Sequence, residues 1–340
     1  MTSASSRPVR VALDAMGGDH APEETVKGAV EAAQQGTPVL LVGDPQALQQ
    51  QLAMHGAQKL PIQVVPSEGV ILEGEHPVQA LRQKPRASIL VATGLVKAGK
   101  ADAVVTMGST GAAMAAGTVL LGLLEGIERP ALGGPIVGTA PNTVLIDLGT
   151  NVDCRPAQLL NFAIIGAVFA RSFLKVQDPR VALLSVGAEE GKGNRQVRET
   201  FELFKGSGLR FIGNIEGHEV PAGKADVVVC DGFVGNILMK FTEGLGSALS
   251  QRLLERLEGR LSSEEARSVA QEIYDWTNVV ERVGGGPIFG VNGVVVVGHG
   301  RSRAPTVTRA IHTARLAVEV DLIASLQQEL RRYQERGSRP

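Results

Sequence analysis

The chain has 340 residues and a formal net charge of −1 at pH 7, which excludes the strongly basic surface expected for nucleic-acid binding. Hydrophobic residues make up 44% of the sequence and aromatic residues only 4%, so the core must be aliphatic, which favours buried parallel strands covered by helices. Cys154 and Cys230 are too few cysteines for a disulfide framework and indicate a reducing cytoplasm.

The hydropathy of the chain predicts neither a signal peptide nor a membrane-spanning helix. The first ten residues, MTSASSRPVR, lack the apolar region of a signal peptide. No uninterrupted apolar run approaches the ~20 residues that a spanning helix needs. The longest candidate, residues 159–174, is broken by Asn161 and Arg171 and predicts a buried helix.

One pattern recurs along the chain: a short β-branched run, a glycine-rich polar loop and then a helical pattern. Its strand-and-loop parts, in chain order, are RVALDAMGGDHAP (10–22), ADAVVTMGSTG (101–111), NTVLIDLGTNVDCRP (142–156), RVALLSVGAEEGKGN (180–194), ADVVVCDGFVGN (225–236) and GVVVVGHGRSRAP (293–305). Shorter predicted strands are TPVLLVGD (37–44), IQVVPSE (62–68) and LRFIGNIEG (209–217). This alternation predicts βαβ units and an α/β fold with a doubly wound, mostly parallel sheet. Ligands of such sheets bind outside the carboxyl ends of the strands, where each of these polar loops is predicted to lie.

Two predictions concern the organisation of the chain. Residues 8–330 are predicted to form one α/β/α catalytic domain, with two lobes around a central cleft as the alternative. Residues 244–283 break the rhythm and predict an inserted helical hairpin, in which the spacing of Ser262 and Glu265 is typical of a capping box. Leucine recurs in it every four residues, at Leu245, Leu249, Leu253, Leu257 and Leu261. Both a core-facing hairpin and a contact surface for a second subunit, a membrane or a partner remain open.

The first polar loop carries Asp14, Asp19 and His20 around Gly17 and Gly18. Two carboxylates and an imidazole in one turn are chemically suitable ligands for a divalent cation. A tight turn into the next helix explains the same residues equally well, so both interpretations stay open.

The loop TMGSTG places Gly108, Ser109, Thr110 and Gly111 between a predicted strand and the start of a predicted helix. Backbone N–H groups at such a turn point into the loop, and the helix dipole there favours an anion. The sequence therefore indicates either a phosphate site or an ordinary helix cap.

Two further loops carry donors that suit acyl transfer. Lys192 stands between two glycines, which lets its ammonium point inward at a phosphate or a developing oxyanion, and the alternative is a solvated surface lysine. Asp231 and Asn236 follow the next strand. The Asn236 amide offers donors for a carbonyl oxygen, and the alternative is a helix cap.

The loop after the last predicted strand carries His299, Arg301 and Arg303. It matches the dinucleotide-binding fingerprint only in part, because Arg303 replaces the third glycine, so NAD binding is disfavoured. The arginines suit a phosphate or an acidic partner better. The chain lacks a G-x-S-x-G nucleophile elbow, and at Cys154 and Cys230 a buried inert thiol is favoured over an acyl-enzyme.

The assembled motifs resemble those of the bacterial phosphate acyltransferases of the PlsX family. The most specific is ALDAMGGDHAP from Ala12, and the supporting motifs are LVGD at Leu41, TMGSTGA at Thr106, IDLGTNVD at Ile146, GAEEGKGN at Gly187, IGNIEG at Ile212, VVVCDGFVGN at Val227 and GGGPIFGVNG…VGHG from Gly284. The resemblance covers about residues 9 to 320. The chain departs from the family pattern at Ser109, where Asn is usual, and from Arg301 to Arg303, where small hydroxyl residues are common.

The resemblance implies an enzyme that transfers a long-chain fatty acyl group from acyl-acyl carrier protein to inorganic phosphate. It also implies a fold similar to isocitrate and isopropylmalate dehydrogenases and to phosphotransacetylases, and a homodimer. The enzyme is expected to be cytoplasmic and peripherally associated with the inner face of the membrane, where a membrane glycerol-3-phosphate acyltransferase takes over the acyl phosphate for phospholipid synthesis. Neither a cofactor nor a metal is implied, and assistance by Mg²⁺ is left open.

The expected mechanism is direct attack of a phosphate oxygen on the thioester carbonyl. Phosphate is expected near Gly108 to Gly111, with Lys192 offsetting its charge, and Lys192 and Asn236 are expected to stabilise the tetrahedral oxyanion. The other predicted lining residues are Asp14, His20, Asp147, Asn151, Asp231 and His299. The alternatives are a phosphotransacetylase that uses coenzyme A, a dehydrogenase of the related fold and a non-catalytic membrane scaffold.

Overall fold

The computed structural model describes residues 7–337, which form two compact units. Unit 1 comprises residues 7–124 and Val283–Ala324. Unit 2 comprises Glu125–Arg282 and residues 325–337.

The strands are short and rich in β-branched residues, as expected for buried strands of a parallel sheet. In chain order they are β1 (Val11–Asp14), β2 (Val39–Gly43), β3 (Ile62–Pro66), β4 (Ala103–Thr106), β5 (Ala131–Gly134), β6 (Val144–Ile146), β7 (Val181–Leu184), β8 (Phe211–Ile215), β9 (Val227–Val229), β10 (Gly286–Phe289) and β11 (Val294–Val297). The α-helices are α1 (Glu23–Gln34), α2 (Pro45–Met54), α3 (Pro77–Gln83), α4 (Ser88–Lys97), α5 (Thr110–Ala116), α6 (Pro156–Ser172), α7 (Arg195–Gly206), α8 (Gly232–Leu257), α9 (Ser263–Thr277), α10 (Val279–Val283), α11 (Ala304–Glu319) and α12 (Leu322–Gly337).

In unit 1 the strands lie in the order β3-β2-β1-β4-β11-β10, and β10 runs antiparallel to β11. The register places Leu13 of β1 between Leu41 and Val105. Strands β1, β4 and β11 are buried along their whole length, and α4 and α11 pack against β1 and β4. Because β1, β4 and β11 are parallel neighbours, the loops at their carboxyl ends share one edge of the sheet.

In unit 2 the strands lie in the order β5-β6-β9-β7-β8, and β5 runs antiparallel to β6. Helix α6 packs against β6 and β9, and its Leu159, Phe162 and Ile165 are buried, which confirms the buried helix predicted there. Within residues 7–337, no helix is long and apolar enough to cross a membrane. The loops after β6, β9 and β7 share one sheet edge, because these three strands are parallel neighbours.

The predicted α/β fold with a mostly parallel sheet is confirmed. Strands β5 (ALGG) and β10 (GPIF) are additions to the predicted set, because glycine and proline weaken the strand signal of both. The single catalytic domain over residues 8–330 stays a prediction.

The helical hairpin of unit 2 is longer than predicted. Helix α8 begins at Gly232 rather than near residue 244, and α9 ends at Thr277. The predicted capping box is confirmed, because the Glu265 carboxylate accepts the Ser262 backbone N–H at 3.0 Å and the Ser262 hydroxyl accepts the Glu265 N–H. The regular leucine series is divided: Leu253 and Leu257 are half-buried, whereas the exposed members are Leu245, Leu249 and Leu261.

Candidate active site

A chain of hydrogen bonds joins the end of β1 to the loop after β4. The Thr106 hydroxyl donates to Asp14 Oδ2 at 2.8 Å and accepts the Gly108 backbone N–H at 2.9 Å. Asp14 and Thr106 are paired in register at the ends of β1 and β4, so the order of the strands brings these two side chains together. A Cβ on Gly17 would lie 2.7 Å from Asp14 Oδ2 and 2.9 Å from the Gly108 nitrogen, which explains the glycine at this close approach.

The pKa of the Asp14 carboxyl is raised above its ordinary value of 3.8. Burial is the main cause because it penalises the charged form, and hydrogen bonds from Thr106 and the Met16 N–H oppose it only in part. Asp14 therefore resists ionisation more than an exposed aspartate does.

Residues Gly108 to Gly111 form the turn into α5. The Ser109 hydroxyl caps this helix by accepting the Ala112 N–H at 3.4 Å, which agrees with the helix-cap interpretation. The N–H groups of Thr110 and Gly111 lie in the first helical turn, where a helix offers them no carbonyl acceptor of its own. This turn consists of uncharged residues, so the helix dipole is not neutralised there by a carboxylate.

The loops after β1 and β11 are in contact. The Asp19 backbone N–H donates to the Gly300 carbonyl at 2.8 Å, and the half-buried His20 and His299 lie beside these two residues in the chain. In the part of the chain that the structure describes, no three His, Cys, Asp or Glu side chains are grouped as a metal site. The metal interpretation of Asp14, Asp19 and His20 therefore gains no support.

Arg303 is engaged within unit 1. Its guanidinium lies 3.4 Å from the Glu24 carboxylate, which also accepts the Ala304 N–H at 2.7 Å. The hydrogen bond from Ala304 is the main reason that the pKa of Glu24 is lowered, and the charge of Arg303 adds to the effect. Glu24, at the start of α1, is therefore an acidic partner of Arg303 at the start of α11.

In unit 2, Asp147 is fully buried directly after β6. Its carboxylate accepts the backbone N–H groups of Leu132, Gly149, Thr150 and Asn151 at 2.7–3.3 Å. It also accepts the Thr150 hydroxyl at 2.6 Å and the Asn151 amide at 2.9 Å. These bonds use the lone pairs of a carboxylate, so Asp147 shapes its loop instead of presenting a free oxygen.

Asn151 joins the same loop to the start of α8. Its amide donates to the Pro130 carbonyl at 2.8 Å, and its backbone carbonyl accepts the Gly232 N–H at 2.7 Å. A Cβ on Gly235 would overlap the carbonyl oxygen of Asp147. The loop after β6 and the first turn of α8 therefore pack as one block.

Asp231 and Asn236 take different places on α8. The Asp231 carboxylate caps the helix by accepting the Val234 N–H at 2.9 Å, and burial raises its pKa while this hydrogen bond opposes the shift. The capping role considered for Asn236 therefore belongs to Asp231. Asn236 lies one turn further on, and a Cβ on Gly149, whose φ is +130°, would lie 3.1 Å from the Asn236 Cβ.

Lys192 is exposed in the loop between β7 and α7. Its backbone N–H donates to the Glu189 carbonyl at 3.0 Å, and the same carbonyl accepts the Asn214 amide at 3.0 Å. A Cβ on Gly187 would lie 2.9 Å from Lys192 Cγ, so the lysine stem passes closely over this glycine. The loop ends at Asn194, which caps α7.

Both cysteines are buried free thiols of unit 2. Burial raises the pKa of Cys154 to about 12, and the charges of Asp147 and Asp231 add to the effect. Burial also raises the pKa of Cys230 well above its ordinary value. Both thiols therefore stay protonated at neutral pH, where a thiol is a poor nucleophile.

Three polar residues in or bonded to these loops are absent from the predicted site. Thr106, Thr150 and Asn214 stand inside the quoted motifs TMGSTG, IDLGTNVD and IGNIEG, so their signal is a polar residue near the end of a predicted strand. Their partners depend on which strands are neighbours, and hydrophobic periodicity does not give that order.

Comparison with known proteins identifies the family. Residues 9–325 match the family described as fatty acid synthesis protein. A curated phosphate acyltransferase of Thermosynechococcus vestitus is 44% identical over 318 residues, which cover 91% of this chain and 92% of that relative. A curated phosphate acyltransferase of Desulfitobacterium hafniense is 42% identical over 331 residues, which cover 96% of this chain and 98% of that relative.

Solved structures with a similar fold include a phosphotransacetylase from Streptococcus pyogenes, with a TM-score of 0.59, 19% identity and coverage of 92% of this chain and 95% of that chain. A 4-hydroxythreonine-4-phosphate dehydrogenase from Klebsiella pneumoniae has a TM-score of 0.52 and 16% identity, with coverage of 91% of this chain and 98% of that chain. At these identities the likeness concerns the fold alone, and it confirms the predicted phosphotransacetylase-like fold. The sequence match extends over nearly the whole chain, and the chain therefore belongs to the phosphate acyltransferase family of fatty acid synthesis proteins, a family of enzymes, as its motifs predict.

Proposed function

We propose that this chain transfers a long-chain fatty acyl group from acyl-acyl carrier protein to inorganic phosphate and releases acyl phosphate. Membership of the phosphate acyltransferase family supports the class of reaction. The motif resemblance supports the carrier protein as the acyl donor. The product then serves a membrane glycerol-3-phosphate acyltransferase in phospholipid synthesis.

The main observation that supports direct transfer is that both cysteine thiols are buried and protonated. Cys154 and Cys230 are buried, and burial raises the pKa of both, so neither is suited to form an acyl-enzyme. A phosphate oxygen instead attacks the thioester carbonyl carbon, the C–S bond breaks, and the carrier leaves as a thiol after taking up a proton. Phosphate is already an anionic nucleophile at neutral pH, so the main task of the enzyme is positioning.

For the phosphate we propose the turn from Gly108 to Gly111. The first-turn N–H groups of α5, its uncharged first turn and the raised pKa of the neighbouring Asp14 all favour an anion there. Ser109 offers a hydroxyl where the family usually has an amide, and this hydroxyl already accepts the Ala112 N–H.

For the tetrahedral oxyanion we propose Lys192 and Asn236 in unit 2. The exposed Lys192 ammonium supplies charge, and the Asn236 amide supplies hydrogen-bond donors. Asp147 and Asn151 act by fixing the loop that approaches Asn236, since their polar groups are bonded within that loop. The remaining proposed lining residues are Asp14, His20, Asp231 and His299.

The activity test uses hydroxylamine to trap acyl phosphate as an acyl hydroxamate. Purified protein receives inorganic phosphate with long-chain acyl-acyl carrier protein or with the matching acyl-coenzyme A. We expect phosphate-dependent hydroxamate from the carrier donor alone. Product from coenzyme A alone would favour the phosphotransacetylase alternative, and no product from folded protein with either donor would refute the proposed reaction.

We propose that the tip of the hairpin contacts the membrane surface. A groove of about 280 Å³ at the tip is lined by the apolar side chains of Leu254, Leu261 and Ala266 next to Glu258 and Arg267. Because charges of both signs surround it, electrostatic attraction to anionic lipid should be modest and apolar burial should dominate.

Liposome flotation tests this contact. The paired substitutions Leu254→Glu and Leu261→Glu should reduce the floated fraction. Leu203→Glu, at a similarly exposed leucine on α7, should leave it unchanged. Equal flotation of the wild type and the paired variant would contradict the membrane contact.

A further inference from the structure

We propose that Asn214 is a positioning residue that fixes the Lys192 loop and thereby places the lysine ammonium. This inference rests on the role proposed above for Lys192. Asn214 lies on β8, outside the Lys192 loop, and acts on it through one backbone carbonyl.

The Asn214 side chain is buried, with only 3% of its surface exposed. Its amide donates to the Glu189 carbonyl at 3.0 Å, whereas Oδ1 has no hydrogen-bond partner among residues 7–337. Burial of a half-satisfied amide costs free energy, so an apolar residue of similar size would serve the core better. The hydrogen bond that the amide donates to the Glu189 carbonyl is therefore the feature that explains an asparagine at this buried position.

The Glu189 carbonyl connects Asn214 to Lys192. It accepts the Asn214 amide and the Lys192 backbone N–H, both at 3.0 Å, so both lone pairs of one oxygen are used. Residues 188–192 are exposed, and the packed core therefore restrains little of this loop. Two surface bonds from α7 reach the loop, from Lys205 to the Glu190 carboxylate and from Arg198 to the Gly193 carbonyl. The Asn214 donor, fixed in the sheet, adds a buried restraint to them.

The strand itself is shaped to present Asn214. Val181 pairs with Phe211 and Leu183 pairs with Asn214, so β8 contains one residue more than β7 between these pairs. This bulge includes Gly213, whose φ of +94° favours glycine. Bulges of this kind change the direction of the following side chain, and this one immediately precedes Asn214.

The consequence concerns the transition state. An ammonium that stabilises an oxyanion must be held in place, because a shift of about 1 Å can cost about a hundredfold in rate. Loss of the Asn214 donor should therefore reduce kcat rather than raise KM for phosphate.

The test compares Asn214→Leu, which keeps the approximate size but loses the donor, with the wild type. Asn214→Ser, whose donor is too short to reach Glu189, is the second variant in case the leucine variant fails to fold. Thr143→Val is the matched control in unit 2, because the buried Thr143 hydroxyl also donates to a backbone carbonyl, that of Ala225, at 2.7 Å. The measurements are kcat and KM in the hydroxamate assay and the exchange rate of the Lys192 amide hydrogen.

We expect both Asn214 variants to lose about tenfold to a hundredfold in kcat and to exchange the Lys192 amide hydrogen faster. Thr143→Val should change neither quantity, although the loss of its buried hydrogen bond should lower the melting temperature. In a Lys192→Ala background the Asn214 variants should lose no further activity. An unchanged exchange rate, or a full additional loss in that background, would overturn the proposal.

The two proposals fail differently. Near-normal turnover of Lys192→Ala would refute the catalytic role of Lys192 and with it the effect of Asn214 on catalysis. The exchange rate of the Lys192 amide hydrogen in the Asn214 variants would still decide whether Asn214 fixes the loop.

Discussion

Asp14 is a buried carboxyl whose ionisation opposes folding. Its pKa is raised in the folded chain by burial, so the folded state holds this proton at pH values where the unfolded chain has lost it. The stabilising contribution of the protonated group is complete below the unfolded pKa and is lost as pH rises through the folded pKa.

Asp14→Asn removes this titration without a large change of shape. We therefore expect the free energy of unfolding of the wild type, relative to Asp14→Asn, to fall as pH rises above the ordinary aspartate pKa of 3.8. Urea denaturation of both proteins across this range measures it. A difference that stays constant or grows with pH would contradict the burial of this carboxyl.

Lys192→Ala tests the proposed oxyanion contact. The substitution should lower kcat/KM by about two orders of magnitude, as the loss of a donor to a developing oxyanion does. Lys59→Ala, at an exposed lysine of unit 1, should leave kcat/KM unchanged. A folded Lys192→Ala enzyme with normal turnover would remove this lysine from the mechanism.

The sequence suggests candidate site residues where the relevant side chains stand in one loop. Asp14, Lys192 and Asp231 could be proposed because each stands in or beside a glycine-containing loop that follows a predicted strand. The bond from Thr106 to Asp14 could not, since it requires β4 to lie beside β1. Strand order is a tertiary property that these local patterns do not contain.

At the scale of elements, the start of α8 shows why a boundary was missed. Gly232 and Gly235 are poor helix formers and resemble a loop, yet both lie in the first turn of this helix. Close packing against the loop after β6 requires these glycines, because a Cβ on Gly235 would overlap the Asp147 carbonyl oxygen. Packing against the loop after β6 overrides helix propensity there.

Two glycines of α8 give a matched test of the hairpin. A Cβ on Gly246 would overlap the Thr277 hydroxyl of α9, whereas a Cβ on Gly244 would meet no atom of residues 7–337 within 4 Å. Gly246→Ala should therefore lower the free energy of unfolding by about 1–3 kcal/mol through overpacking. Gly244→Ala should raise it by about 0.5–1 kcal/mol through helix propensity.

Urea denaturation of the two glycine variants measures these changes side by side. Equal shifts of both variants, in either direction, would contradict the close contact between α8 and α9.

At the scale of the whole molecule, α8 exposes an apolar stripe. Its members recur every four residues over about 24 Å and are Phe233, Ile237, Phe241, Leu245 and Leu249. A contiguous exposed stripe of this kind is typical of an interaction surface. It supports the homodimer that the family resemblance implies.

Phe241→Glu tests the dimer, because Phe241 is 64% exposed at the centre of the stripe. We expect a dimer for the wild type and a shift toward monomer for this variant in sedimentation velocity, since a buried unpaired charge is costly at an interface. Leu203→Glu on α7 should remain dimeric. A monomeric wild type, or an unchanged dimer in Phe241→Glu, would contradict this surface.

The path of the chain through unit 1 has a consequence for biosynthesis. All strands of unit 2 lie in one continuous segment, Ala131 to Val229, so its sheet is translated without interruption by strands of unit 1. In unit 1, β4 ends at Thr106, but its neighbour β11 begins only at Val294 and is translated much later. Through that interval the nascent chain carries an open strand edge able to pair with other chains. The sheet of unit 1, whose first strands are translated first, is therefore completed after the sheet of unit 2. Protection of its open strand edge by chaperones should matter most for the earliest part of the chain.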